Sequence, residues 1–178
     1  DVKVYETPVG FKHIGEIMRK EDVIIGGEES GGLSILNHIP EKDGILANLL
    51  ILEAMAYANK SLNELKAELP SEISQDYINN RLDLHVDDSV KNAFVASFIV
   101  NPPQYIGNMK VDRVYDLDGA KIVLEDDSWI LARASGTEPL LRVYFETHSQ
   151  KDLTLLQDEM KKRLEEFENQ TLVNSNML

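Results

Sequence analysis

A chain of 178 residues with a formal net charge of −13 and no cysteine can bury one large or two small cores, and it has no disulfide framework. The acidic balance argues against nucleic acid and anionic membrane as partners, because both require a basic footprint. No apolar run reaches spanning length, the missing cysteine fits a reducing cytoplasm, and the apolar and charged fractions (43% and 28%) are those of a globular chain.

The first residue is Asp1 and leads straight into Val2–Tyr5, which is expected as a short strand, so the chain reads as a piece of something longer. A turn over Thr7-Pro8-Val9-Gly10 follows. Phe11, Ile14 and Met18 recur at helical spacing and predict a helix over Phe11–Lys20. Lys12 stands in its first turn, where the dipole does not favour a cation; a solvated surface lysine is the plain account of it. Val23-Ile24-Ile25 is a continuous apolar run of the kind found in a strand covered on both faces. It stops at Gly26–Gly32, a stretch with four glycines in which Glu28 and Ser30 could hydrogen-bond the hydroxyls of a sugar. The same stretch reads equally as a flexible acidic loop.

Asp43 is placed to N-cap a helix over Ile45–Ala58 that is apolar nearly all round and expected to be buried. His38 and Lys42 lie just ahead of it. Ser61-x-x-Glu64 is a capping box opening a short helix with Leu62, Leu65 and Leu69, expected to stop at Pro70. The polar run up to Asn80 marks a boundary, giving an α/β portion over 1–80 and a second domain over 81–178.

In the second part a strand is expected over Arg81–Val86. A helix then runs from a cap at Asp88 to Val100, with Val90, Ala93, Phe94 and Phe98 inward. Strands follow at Lys110–Tyr115, Ala120–Leu124, Trp129–Ala132 and Leu140–Glu146, with short turns that imply an antiparallel meander. Ser149-x-x-Asp152 caps a last helix, Lys151–Glu168, ahead of a frayed tail. The fold class is therefore an α/β fragment followed by an α+β domain whose helices cover one face of a sheet.

Between the last two strands lies a polar loop, Arg133 to Pro139, with a guanidinium, two hydroxyls and a glycine in its first five residues. Arg133 can offer a planar fork, Ser135 and Thr137 add hydroxyl donors, and Gly136 could take φ > 0 so that backbone amides converge on an oxyanion. The loop also reads as an ordinary hairpin connection, and Ser135-x-x-Glu138 matches a capping box, although the β-type run after it argues against a helix.

Three motifs stand in one order: Thr-Pro-Val-Gly-Phe-Lys (7–12), Gly-Glu-Glu-Ser-Gly-Gly (27–32) and Arg-Ala-Ser-Gly-Thr-Glu-Pro (133–139), with His-Ile-Pro-Glu-Lys-Asp-Gly (38–44) after the second. The set resembles the α-D-phosphohexomutase superfamily of phosphoglucomutases and phosphomannomutases. The resemblance implies the end of a sugar-binding third domain (1–80) and a phosphate-binding fourth domain (81–178) with a TATA-binding-protein-like fold. It implies phosphoryl transfer between the 1- and 6-positions of a hexose through a phosphoserine, a bisphosphorylated intermediate and one Mg²⁺. By motif, Glu28 and Ser30, with His38 and Lys42, would contact the sugar. Arg133, Ser135, Gly136 and Thr137 would hold the non-transferring phosphate, and Lys12 would assist in the cleft.

The family's phosphoserine loop and its Asp-Gly-Asp-x-Asp-Arg metal loop are not in this sequence, so no catalytic serine or metal ligand is expected here; both would belong to N-terminal domains of the parent, its partners along with the hexose phosphate. Gly-Glu-Glu-Ser-Gly resembles the bacterial phosphoglucomutase pattern and puts glucose phosphate first, ahead of mannose or glucosamine phosphate. A non-catalytic module binding through the sheet of the second domain is the reading from another class.

Overall fold

The structure is a computed structural model that describes residues 2–28, 30–72 and 77–175. Its contacts divide the chain into two compact units, Asp1–Ser74 and Gln75–Leu178. The division falls ahead of the boundary expected at residue 80, because Ile78–Asn80 already pair with Phe145–Thr147 in the sheet of the second unit.

In the first unit, α1 (Phe11–Met18) precedes a small hairpin of β1 (Ile25–Gly27) and β2 (Leu33–Ile35), then α2 (Gly44–Ala58) and α3 (Leu62–Glu72). The Asp43 carboxylate caps α2, accepting the N–H groups of Ile45 and Leu46 at 2.9 and 3.0 Å. Ser61 and Glu64 close the capping box at α3, the Ser61 N–H meeting Glu64 Oε2 at 2.8 Å and the Glu64 N–H meeting Ser61 Oγ at 3.3 Å.

Several expectations for this unit are corrected. Val2–Tyr5 forms no strand, because no described strand pairs with it, and Val2 is 78% exposed. The strand near residue 24 starts at Ile25 and pairs only with β2, so Ile24 and Ile25 are exposed rather than covered on both faces. Helix α2 has no buried residue, and Ile45 is 76% exposed. Among the described elements of the unit, α2 packs against β2 and α3, and neither encircles it. Pro70 does not end α3, which continues to Glu72; near the end of a helix the missing proline N–H removes just one bond.

The second unit holds β3 (Ile78–His85), α4 (Asp88–Val100), β4 (Tyr105–Ile106), β5 (Met109–Tyr115), β6 (Ala120–Leu124), β7 (Trp129–Ala134), β8 (Leu140–Thr147) and α5 (Gln150–Ser175). The strands make one six-stranded antiparallel sheet in the order β3-β8-β7-β6-β5-β4. Alternation decides its faces. On β8, Leu141, Val143 and Phe145 point into the core while Arg142, Tyr144 and Glu146 lie on the other face, half-exposed. Ile130, Ala132, Ile122 and Leu124 complete the inner face, and α4 and α5 cover it with Phe94, Phe98, Leu153, Leu156, Met160 and Leu164. The Phe94 ring meets Phe98 and Phe167 edge-on at 5.0 and 5.5 Å. This is the expected open antiparallel sheet with helices on one face.

Details differ from expectation here too. Asp87, not Asp88, is the N-cap of α4, and its side chain makes no cap bond. Ala93 is exposed; the inward stripe is Lys91, Phe94, Val95 and Phe98, at i, i+3, i+4 and i+7. Strand β4 was not expected from its two residues. Helix α5 runs to Ser175, through part of the stretch expected to be a frayed tail. No helix among the described residues is long and apolar enough to cross a membrane.

Candidate anion-binding hairpin and hydroxyl-binding loop

The β7–β8 hairpin brings Arg133, Ser135, Gly136 and Thr137 to one end of the sheet, with Gly136 to Pro139 exposed at its tip. Arg133 is the residue opposite Arg142 in the antiparallel register, both on the face away from the helices. Two like charges in directly paired positions are unfavourable unless something negative lies between or beside them. Each has a carboxylate partner: Arg133 Nε is 2.9 Å from Asp118 Oδ2, and Arg142 Nη2 donates to Glu138 Oε2 at 2.6 Å. Arg142 Nε is nonetheless buried with no hydrogen-bond partner, a donor left over beside the second guanidinium.

The main chain of the loop can be accounted for group by group. The Ser135 N–H donates to Leu140 O at 2.9 Å and the Leu140 N–H to Glu138 O at 2.7 Å. The Glu138 N–H donates to Ser135 Oγ at 3.3 Å. The N–H groups of Gly136 and Thr137 and the Thr137 hydroxyl meet no acceptor among the described residues. Two adjacent amides and a hydroxyl are therefore left without a partner at the tip, where Gly136 to Pro139 line a depression shared with Lys91, Asp87 and Asp88.

Two expectations for the loop need correction. Gly136 does not adopt positive φ, so the amides are presented without a left-handed residue. Ser135 is only 4% exposed, and its oxygen serves the turn by accepting the Glu138 N–H, which confines it to the loop's interior. The glycine that the geometry does require is Gly119, with φ +101 in the β5–β6 turn. A Cβ there would sit 2.4 Å from Ala132 O and 3.1 Å from Arg133 Cα, so glycine alone lets Asp118 draw close to Arg133.

Sequence reasoning missed Lys91 altogether. It is 4% exposed, and its Nζ donates to Ser135 O at 2.6 Å and Glu138 O at 2.7 Å. The available signal was a lysine on the apolar stripe of α4, a position at odds with the usual exposure of lysine.

The first unit presents a separate group of candidates. Glu28 is mostly buried at the β1–β2 turn, and its carboxylate lies 3.5 Å from Lys42 Nζ. His38 Nε2 is 3.0 Å from Asp43 Oδ2, which ties the histidine ring to the cap of α2. The bond from the Leu46 N–H and then that from His38 hold the Asp43 carboxyl below its ordinary value. His38 and Lys42 line the same depression ahead of α2. Ser30 is exposed at the turn, and its hydroxyl meets no partner among the described residues. Lys12 is exposed on α1, and no described interaction joins it to Glu28, His38 or Lys42. Among the described residues no three His, Asp or Glu side chains converge closely enough to hold a metal ion.

The sequence model for phosphoglucomutase/phosphomannomutase, alpha/beta/alpha domain III, matches residues 1–73, and that for the phosphoglucomutase/phosphomannomutase C-terminal domain matches residues 98–163. The chain is 35% identical to a phosphoglucosamine mutase of Methanocaldococcus jannaschii, over 85% of this chain and 32% of that protein. It is 33% identical to a phosphoglucomutase/phosphomannomutase of Thermococcus kodakarensis, over 83% of this chain and 30% of that one. A crystal structure from Thermus thermophilus, provisionally named a phosphomannomutase, superposes with a TM-score of 0.68 at 35% identity, covering 89% of this chain and 30% of the other. The chain spans about a third of the length of these relatives. The chain thus carries matches to two domain models of one family, one in each of its two units. The chain belongs to the phosphoglucomutase/phosphomannomutase family, within the α-D-phosphohexomutase superfamily.

Proposed function

We propose that this chain provides the sugar-contacting and phosphate-gripping portion of a phosphohexomutase, with glucose 1-phosphate and glucose 6-phosphate as the first pair to test. The observation that carries this reading is the β7–β8 tip. The Gly136 and Thr137 amides and the Thr137 hydroxyl have no partner among the described residues, and on the strands that carry the tip Arg133 stands opposite Arg142, whose Nε is unsatisfied. A phosphate monoester dianion would accept those hydrogens and relieve the repulsion between the guanidinium groups. Glu28 and Ser30 would read ring hydroxyls, and the His38–Asp43 and Lys42–Glu28 pairs would keep both basic groups in place.

In phosphoryl transfer most of the rate comes from positioning and charge stabilisation, so gripping the spectator phosphate contributes by orienting the reacting end. No step is assigned here to the Mg²⁺ and phosphoserine that the family resemblance implies. The glutamates at 28 and 29 support glucose phosphate through the family pattern, whereas relatives named phosphoglucosamine mutase support glucosamine phosphate equally.

Titrating the ¹⁵N-labelled chain with glucose 6-phosphate, glucosamine 6-phosphate, mannose 6-phosphate and duplex DNA tests the reading. Sugar phosphates should shift the Gly136 and Thr137 amides. Removing a charge-assisted pair worth about 1.5–3 kcal/mol by Arg133→Ala should weaken binding tenfold or more. Sheet-wide shifts with DNA, or unchanged affinity in Arg133→Ala, would overturn it.

A further inference from the structure

Lys91 lies on the inward stripe of α4, where its neighbours are Phe94, Val95 and Phe98. A buried ammonium is costly unless its hydrogens are all accepted. They are: Ser135 O at 2.6 Å, Glu138 O at 2.7 Å and Asp88 Oδ1 at 2.7 Å take one each. A methionine or leucine would fill the same stripe without that requirement, so the charge has its meaning in what it holds. The two carbonyls bracket residues 136 and 137, the residues whose amides are free.

Peptide planarity links the two facts. In a trans peptide the carbonyl and the following N–H point to opposite sides. Aiming Ser135 O inward at Lys91 therefore aims the Gly136 N–H outward. Glu138 O is likewise turned away from the tip, and the next residue, Pro139, has no N–H to misplace. The Ser135 and Glu138 oxygens, each of which would repel an anion at the tip, are thus both engaged by a cation. We propose that Lys91 is a positioning residue for the β7–β8 tip: it orients the Gly136 amide toward a phosphate-type oxyanion without touching that oxyanion itself. The functional half of this statement rests on the phosphate reading given above, and the orientation half stands on geometry alone.

The test uses the full 178-residue chain. In the unmodified protein the Lys91 ammonium should give a slowly exchanging ¹⁵N resonance with scalar couplings to the Ser135 and Glu138 carbonyl carbons. A freely exchanging Lys91 without those couplings overturns the proposal, whether or not any variant folds. Lys91→Met, which keeps the stem and removes the donors, should displace the ligand-free Gly136 and Thr137 amide resonances. It should also weaken inorganic phosphate and glucose 6-phosphate binding at least tenfold, with Ile122 and Phe145 resonances in place. Unmoved loop amides or retained affinity in a folded Lys91→Met overturns it. If the unmodified tip ignores both anions while the couplings are present, the phosphate reading fails and, with it, the functional half. The orientation half would remain supported.

Discussion

Gly119→Ala separates a glycine required by packing from one that is merely present, and it does so directly beneath Arg133. Gly119 has φ +101, a region that L side chains rarely adopt and that costs about 1–2 kcal/mol for alanine. The added Cβ would lie 2.4 Å from the carbonyl oxygen of Ala132, a fully buried residue of the central strand β7. Neither backbone can retreat without disturbing the β6–β7 ladder, in which Ala120 pairs with Ala132, and overpacking of that kind costs about 1–3 kcal/mol. Together these give about 2–5 kcal/mol, or a fall in Tm of about 10 °C or more. Trp129, the single tryptophan, lies on β7 and donates its indole N–H to Glu146 at 2.9 Å, so urea unfolding followed by its fluorescence reports on this sheet. Gly136→Ala is the control. Its Cβ would meet nothing within 4 Å, its φ is not positive, and stability should stay within about 0.5 kcal/mol of the parent. A loss below about 1 kcal/mol for Gly119→Ala, or equal losses for the two variants, would refute the packing argument.

Phe145→Ala should destabilise the second unit by about 3–5 kcal/mol, since the ring is fully buried on β8 between two helices and the sheet; a urea-derived loss under about 1.5 kcal/mol would contradict that core. Arg133→Ala should leave stability within about 1 kcal/mol, because its pairing with Asp118 is partly solvent-exposed, while binding falls as stated above; a large loss of stability would make Arg133 a structural rather than a binding residue. The Asp43 carboxyl is held below its ordinary value by the folded state, so its contribution to α2 is present above about pH 4 and is lost as pH falls through the depressed value. Acid titration of far-UV circular dichroism should show that loss shrink in Asp43→Asn, which still caps but cannot titrate; an identical acid limb in both proteins would remove Asp43 as its source.

Local chemistry accounts for what could be read early. The Asp43 cap, the Ser61–Glu64 capping box, the alternating strands β5 to β8 and the stripe of α5 all depend on residues within a few positions of one another, so their patterns survive in one dimension. So does the existence of a polar hairpin tip at residues 133–139. The errors share a cause of another kind. Helix α2 and the run at Ile24–Ile25 were read as buried from their composition, but burial depends on what surrounds an element, and within this unit little does. Lys91 was passed over because residue type predicts exposure only on average.

By itself the order of residues determined most of the elements, the Asp43 cap and the Ser61–Glu64 capping box, the net charge of −13, and the motif set that resembles the phosphohexomutases. Only the tertiary structure decided that Arg133 faces Arg142, that a Cβ at Gly119 but not at Gly136 would strike backbone, and that a lysine forty-four residues upstream holds Ser135 O from within. The physical reason is that direction is not a local property. Which way a carbonyl, an amide or a guanidinium points is settled by partners distant in the chain, as the hold of Lys91 on Ser135 O shows.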